Sequence, residues 1–320
     1  MIHISKSFMP PLATYNKYLK GIWKTHILTS QSGEFVTQLE RKLKKYWKVK
    51  NVVCVVNGTA AIQIVLRALD IKEIYTSPFS FIATCAAPAW LGIKLKFIDF
   101  DELYPEDKPV LSTHVYGIPE FVRGKPVIYD ASHAFTTEDI MNYGEASIIS
   151  FSAVKVFQTG EGGAIVTNNN ELAEKARIMR NYGLEDRYNA TSLGTNAKMS
   201  ELHAAMGLSV LPYVKKIRKK LDKIAEFYNK ELGLDKPIGC LLYYPLELLS
   251  ERKVLRAIKE FESNGIFPRR YFYPPLNKVF GGKKCELAED YMSRLLTIPY
   301  HYYLEQKDLE RIVKIAKKYV

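Results

Sequence analysis

Between residues 51 and 168, short apolar runs rich in β-branched residues recur at 52–56, 74–76, 94–98, 110–115, 126–129, 147–151 and 164–167. Nothing else in the chain limits its architecture as strongly. The runs are nearly continuous in apolar character, which suits strands covered on both faces, and helical stretches at 60–69 and 82–91 alternate with them. That alternation predicts a doubly wound α/β unit built on a seven-stranded, mainly parallel sheet sandwiched by helices.

Helical patterns follow at 170–182 and from residue 200 into a basic stretch ending near 232, with Pro212 interrupting the second. From about Lys236 the composition shifts to Pro-rich and Tyr-rich segments, Tyr243-Tyr244-Pro245 and Tyr271-Phe272-Tyr273-Pro274-Pro275, between helical patterns at 251–264 and 306–319. We therefore expect a large domain over 1–205 and a smaller C-terminal α+β domain over 206–320. Hydrophobic residues at 47% and charged residues at 25% of the 320 positions leave little room for extended disorder.

No stretch approaches the roughly 18 uncharged apolar residues of a membrane span, and the opening MIHISKSFMPPL lacks the apolar core of a signal peptide. The expected location is the cytoplasm, with no membrane partner. Cys54, Cys85, Cys240 and Cys285 are far apart and form no CxxC pair, so they read as reduced thiols, and no metal site is expected. The net charge of +12 favours a polyanionic partner such as a nucleotide diphosphate or a nucleic acid. Much of that excess sits in runs such as Lys215-Lys216-Ile217-Arg218-Lys219-Lys220, which have the pattern of solvated faces of amphipathic helices. Nucleic acid is therefore not the expected partner.

Three constellations carry chemistry. Val55-Val56-Asn57-Gly58-Thr59-Ala60-Ala61 runs from a strand through a glycine turn into a helix whose free N–H groups suit a phosphate; read alone, it serves equally as an ordinary helix cap. Val127-Ile128-Tyr129-Asp130-Ala131-Ser132-His133 puts a carboxylate at the end of a buried strand, the edge where open α/β sheets hold ligands. Taken singly, Asp130 reads as a helix cap and His133 as an internally bonded core histidine. Lys155 lies just beyond the run 147–151 and before the glycine-rich turn Thr159-Gly160-Glu161-Gly162-Gly163. A partly desolvated lysine there offers the neutral amine of Schiff-base chemistry. Together the three supply a phosphate anchor, a partner for a pyridinium nitrogen and an amine for an aldehyde, a trio that suits pyridoxal 5′-phosphate (PLP).

At this point a family resemblance becomes visible. NGTAAIQIVLRAL, SPFSFIATCAAPAWLGIKLKFIDFD, VIYDASHAF, SFSAVKVFQTGEGGAIVTNN and GTNAKMSELHAAMGL resemble, in order, consecutive blocks of the nucleotide-sugar aminotransferases of the DegT/StrS type, PLP enzymes of fold type I. Weaker matches, SGEFVTQLERKLKKYW and LLTIPYHYYLEQKDLERIV, extend the likeness over nearly the whole chain.

The resemblance implies that Lys155 carries the cofactor and moves the proton, and that Asp130 pairs with the pyridine nitrogen. It places His133 near the phenolic oxygen, Phe81 stacked on the ring, and Gly58, Thr59, Ala60 and Ser150 around the phosphate. Asn196 matches a residue that reaches the partner's cofactor phosphate, which implies a homodimer with a composite active site. The implied reaction uses L-glutamate to convert PLP to pyridoxamine 5′-phosphate, which then aminates a keto sugar. Lysine at 155, where relatives that remove a hydroxyl carry histidine, marks the aminating branch. PFSFIAT and IFPRRYFYPPL resemble members acting on dTDP-4-keto-6-deoxyglucose, with Lys198 and Arg269 as candidate substrate contacts; Arg269 and Arg270 read equally as surface residues. The alternatives are a 3-keto sugar or cyclitol acceptor and, from another class, a non-catalytic basic binding protein. Two features depart from the family pattern: a short segment between Asp99 and Val110, expected to shrink a peripheral helix or hairpin, and Lys198 where many members have arginine.

Overall fold

The seven runs form one sheet. In the computed structural model, which describes residues 1–29, 33–137, 140–186 and 188–320, its strands lie in the order Asn51–Val55, Gly163–Thr167, Ala146–Ser150, Val127–Asp130, Val110–Thr113, Glu73–Thr76 and Lys94–Phe97. Gly163–Thr167 is antiparallel to both neighbours, and the other pairs are parallel. The central strands are buried along almost their whole length, the signature of a sheet covered on both faces.

One layer packs on the sheet through helix Gly58–Ala68, whose Ala61, Ile62, Val65 and Leu66 join Val53, Val55, Ile74, Leu111, Ile128, Ile148 and Ile165 in a single apolar cluster. Each Val, Leu or Ile side chain fully buried there contributes roughly 1.5–3 kcal/mol before entropy is counted. On the other side, helix Glu34–Trp47 turns Val36, Leu39, Leu43 and Trp47 inward. Its first turn is held by the buried Glu201 carboxylate, which accepts from Phe35 N at 2.8 Å and Val36 N at 3.0 Å.

The pattern from residue 200 resolves into helices Glu201–Val210 and Val214–Leu232, joined by a short 3₁₀ turn, Leu211–Tyr213, that contains Pro212. The second helix buries Val214, Ile217, Leu221, Ile224, Ala225, Tyr228 and Leu232 at three- and four-residue spacing, which turns its lysines outward. Beyond it, Tyr244–Glu247 pairs antiparallel with Leu295–Ile298, beside helices Glu251–Ser263 and Gln306–Ala316. The chain's first strand, Ile2–His3, pairs parallel with Ile266–Phe267, tying the N-terminus to this C-terminal region. The short segment after Asp99 has neither helix nor strand before Val110. Asp99 instead caps helix Glu286–Ser293, its carboxylate accepting from Leu287 N at 3.1 Å and Ala288 N at 2.9 Å. Among the described residues no helix is long and apolar enough to cross a membrane.

Candidate active site

Strand direction explains why distant sequence motifs meet. Asn51–Val55, Ala146–Ser150, Val127–Asp130 and Val110–Thr113 all end at one edge of the sheet, and the antiparallel strand Gly163–Thr167 begins there. That edge opens into a cavity of about 300 Å³ lined by Asn57, Gly58, Thr59, Phe81, Thr113, Asp130, His133, Ser150 and Lys155 among others. Its size lies at the lower end of the range of roughly 300–1,000 Å³ for small-molecule sites.

Asn57 caps helix Gly58–Ala68, its side chain accepting from Ala60 N at 2.8 Å. Ala61 N donates to Asn57 O, so among the described residues the N–H groups of Gly58 and Thr59 are the ones left for an anion. Ala60 gives its N–H to the cap and does not line the cavity. The turn needs glycine across from it: a Cβ on Gly163 would stand 2.6 Å from Asn57 C and 2.7 Å from Gly58 N. Ser150 Oγ accepts from Ser152 N at 3.3 Å, which leaves its proton free to donate into the cavity.

Asp130 is buried at the end of its strand, and no basic side chain among the described residues forms an ion pair with it. Its Oδ2 accepts from Thr84 Oγ1 at 2.7 Å and its Oδ1 from Ser132 N at 3.1 Å. A carboxylate oxygen has more than one acceptor site, so capacity remains for a cationic N–H.

Lys155 sits in the loop joining two antiparallel strands, fixed by Lys155 N to Ser152 O at 2.9 Å and Thr159 N to Phe151 O at 2.9 Å. Burial of its amine lowers its pKa from 10.5 to about 8, against the opposing pull of Asp130 and Glu161. At pH 7.5 about a quarter of such amines are neutral, compared with about one in a thousand for an ordinary lysine.

His133 lies well below its ordinary pKa, through burial first and the Lys155 charge second, and so is neutral near pH 7. Its Nδ1 accepts from Tyr116 N at 3.2 Å, which puts the remaining proton on Nε2. Phe81, half exposed, leads into helix Ile82–Trp90 with its ring 6.0 Å from that of Phe272. The structure thus brings Gly58, Thr59, Phe81, Asp130, His133, Ser150 and Lys155 together.

Asn196, Lys198 and Arg269 lie outside this cavity. Asn196 is exposed and accepts from Lys198 Nζ at 2.8 Å, while that amine also lies 4.2 Å over the Tyr182 ring. Arg269 is exposed, and its backbone pairs with Thr297. Arg270 is committed to Glu251, Ser293 O and the Tyr273 ring.

Sequence reasoning missed the opposite wall, formed by Tyr243, Tyr271 and Phe272 from the C-terminal region. Phe272 stacks 5.6 Å from His133 at 19°, and Tyr243 and Tyr271 pack at 4.7 Å. The only signal was the Tyr/Pro-rich character of their segments. It also missed Thr84, which bonds Asp130 from a helix 46 residues away.

A strand-end carboxylate, a lysine with a depressed pKa and a free helix start around one cavity, at the carboxyl edge of a seven-stranded sheet, define a site fitted to PLP, in an enzyme of fold type I. The DegT/DnrJ/EryC1/StrS aminotransferase family profile matches residues 13–109 and 122–317, and the chain belongs to that family of PLP-dependent aminotransferases. It is 31% identical over 362 aligned residues, covering 99% of this chain and 98% of the relative, to a dTDP-4-amino-4,6-dideoxy-D-glucose transaminase of Shigella dysenteriae. It is 27% identical, over 89% of each chain, to a UDP-4-amino-4,6-dideoxy-N-acetyl-beta-L-altrosamine transaminase of Campylobacter jejuni. Among solved structures, DesI crystallised with its TDP-sugar product superimposes with a TM-score of 0.89 over 99% of this chain and 92% of DesI, at 22% identity. Helicobacter pylori PseC superimposes with 0.86 over 99% and 98%, also at 22% identity. At that identity the two structures bear on the fold.

Proposed function

We propose that the protein transfers an amino group from L-glutamate to a nucleotide-linked 4-keto-6-deoxy sugar, dTDP-4-keto-6-deoxyglucose, to give the 4-amino-4,6-dideoxy sugar. The observation that carries the chemistry is the meeting of Lys155 and Asp130 at one cavity with the Gly58-Thr59 helix start. Full-length similarity to the Shigella transaminase supports the acceptor.

When bound, PLP supplies an electron sink that lets an amino group be exchanged at a substrate carbon. Lys155 would attach it through the amine, which the cavity keeps partly neutral, and would then take the proton from the substrate carbon and return it during the exchange. Asp130 would accept from the protonated ring nitrogen, and His133 Nε2 would donate to the phenolic oxygen. Thr59 and Gly58 N–H groups and the Ser150 hydroxyl would hold the phosphate, and Phe81 would cover the ring. In a homodimer, Asn196, which is exposed, would complete the partner's site. Lys198 and Arg269 would meet the substrate's diphosphate as point charge and fork respectively. We propose that the reaction runs in the cytoplasm, where nucleotide-activated sugars would be aminated.

The test is incubation of the PLP-loaded protein with L-glutamate and a panel of nucleotide keto sugars, with mass detection of products. The expected result is a 4-amino sugar from dTDP-4-keto-6-deoxyglucose. Product only from a 3-keto sugar or a cyclitol ketone would overturn the acceptor, and no amino product from any of them would overturn the transferase reading.

A further inference from the structure

Asp130 is held by more than its own strand. A row of buried hydroxyls runs from the cavity wall to its carboxylate: Thr113 Oγ1 to Ser80 Oγ at 2.8 Å, Ser80 Oγ to Thr84 Oγ1 at 2.6 Å, and Thr84 Oγ1 to Asp130 Oδ2 at 2.7 Å. Thr84 and Ser80 are 0% and 1% exposed, so water does not compete for these bonds. We propose that Thr84, oriented by Ser80 and Thr113, is a positioning residue that fixes the Asp130 carboxylate for the ring nitrogen of PLP. The proposal rests on the PLP reading given above.

The carboxylate sets the direction of every proton in the row. Thr84 has one proton and gives it to Asp130, so its oxygen accepts from Ser80. Ser80 has then spent its proton and accepts from Thr113. Thr113, which lines the cavity, therefore presents only lone pairs there. With Ser132 N bound to Oδ1, each carboxylate oxygen is pinned by one donor from a different direction, and the plane of the group is set. The three hydroxyls come from the lead-in to helix Ile82–Trp90, from the helix itself and from the end of strand Val110–Thr113, all packed elements. Thr84 is β-branched, so its own side chain has few alternative rotamers. A carboxylate held in this way meets a cationic N–H without reorganising, which is where such an interaction gains most. Mutual satisfaction of polar groups in a core would alone require only that the hydroxyls pair with each other. It does not require that the row end on the aspartate that lines the cavity.

The experiment compares wild type, Thr84→Val, Thr84→Ser and Ser80→Ala as full-length apoprotein titrated with PLP. It reads the dissociation constant, the absorbance of the bound cofactor across pH and the melting temperature without cofactor. Thr84→Val keeps the shape and removes the donor; the expected loss of PLP affinity is about tenfold or more, the usual worth of one hydrogen bond to a charged group. Its bound-cofactor spectrum is expected to titrate at a different pH from wild type. Thr84→Ser should restore both to near wild type, and Ser80→Ala, which leaves the carboxylate contact in place, should show a smaller loss of the same sign. Equal affinity and an unchanged spectrum in Thr84→Val would overturn the positioning role, as would equal losses in Thr84→Val and Thr84→Ser. So would a fall in melting temperature with no change at the cofactor. A wild-type protein that binds no PLP overturns the underlying cofactor reading, a failure visible before any variant is compared.

Discussion

Lys155→Met should make the cofactor-free protein more stable near neutral pH, and the gain should vanish in alkali. The native state holds this amine at a pKa of about 8, whereas an unfolded chain holds it at 10.5. Below pH 8 both states are protonated, and the native state bears the full cost of enclosing an ammonium ion. Between pH 8 and 10.5 the native lysine has lost its proton and the unfolded one has not, so the unfolded state binds more protons and stability rises with pH. Above 10.5 both are neutral and the cost is gone. The window of 2.5 pH units corresponds to about 3 kcal/mol in all, most of which falls between pH 7 and 10. Urea unfolding of both apoproteins at pH 7, 8.5 and 10 measures it, since titrating groups that do not interact with Lys155 cancel in the difference. Wild type should gain about 2–3 kcal/mol on Lys155→Met over that span. Parallel pH profiles would show that the site does not depress this lysine, and the argument for a neutral amine would fall with it.

Two further substitutions test how the site is supported. Gly163→Ala drives a methyl group against Asn57 C and Gly58 N at under 3 Å; it should cost about 1–3 kcal/mol in urea unfolding and weaken PLP binding, because the helix start must move. Wild-type stability and affinity in this variant would refute the close packing. Glu201→Ala strips the carboxylate from the N–H groups of Phe35 and Val36 and should cost about 2–3 kcal/mol, with apoprotein stability as the readout and an unchanged midpoint as the contrary result.

The sheet was legible because strands buried on both faces leave continuous apolar runs, and each of the seven runs became a strand. Lys155 stood out because a lysine just beyond a buried run and beside a glycine-rich turn has no ordinary solvated place, whereas Asp130, which alone reads as a helix cap, gained meaning only in combination with it. The antiparallel setting of Gly163–Thr167 left no such trace, because an apolar run reads the same in either direction. The pairing of Ile2 with Ile266 and the wall made by Tyr243, Tyr271 and Phe272 depend on chain segments brought together only by folding. Local patterns encode which face of an element is apolar, and they are silent about which distant face it meets. Thr84 shows the limit most clearly. Inside IATCAAPAW it reads as a small helical residue, and its partner at Asp130 is set by how the helix lies on the sheet.

The most direct measurement of the central claim is borohydride reduction of the PLP-loaded protein, followed by peptide mapping, with absorbance recorded before and after L-glutamate. The expected result is a visible cofactor band that changes on adding glutamate, and a pyridoxyl group fixed on Lys155. A label on another lysine, or no band at all, would contradict the assignment of this cavity as the catalytic centre.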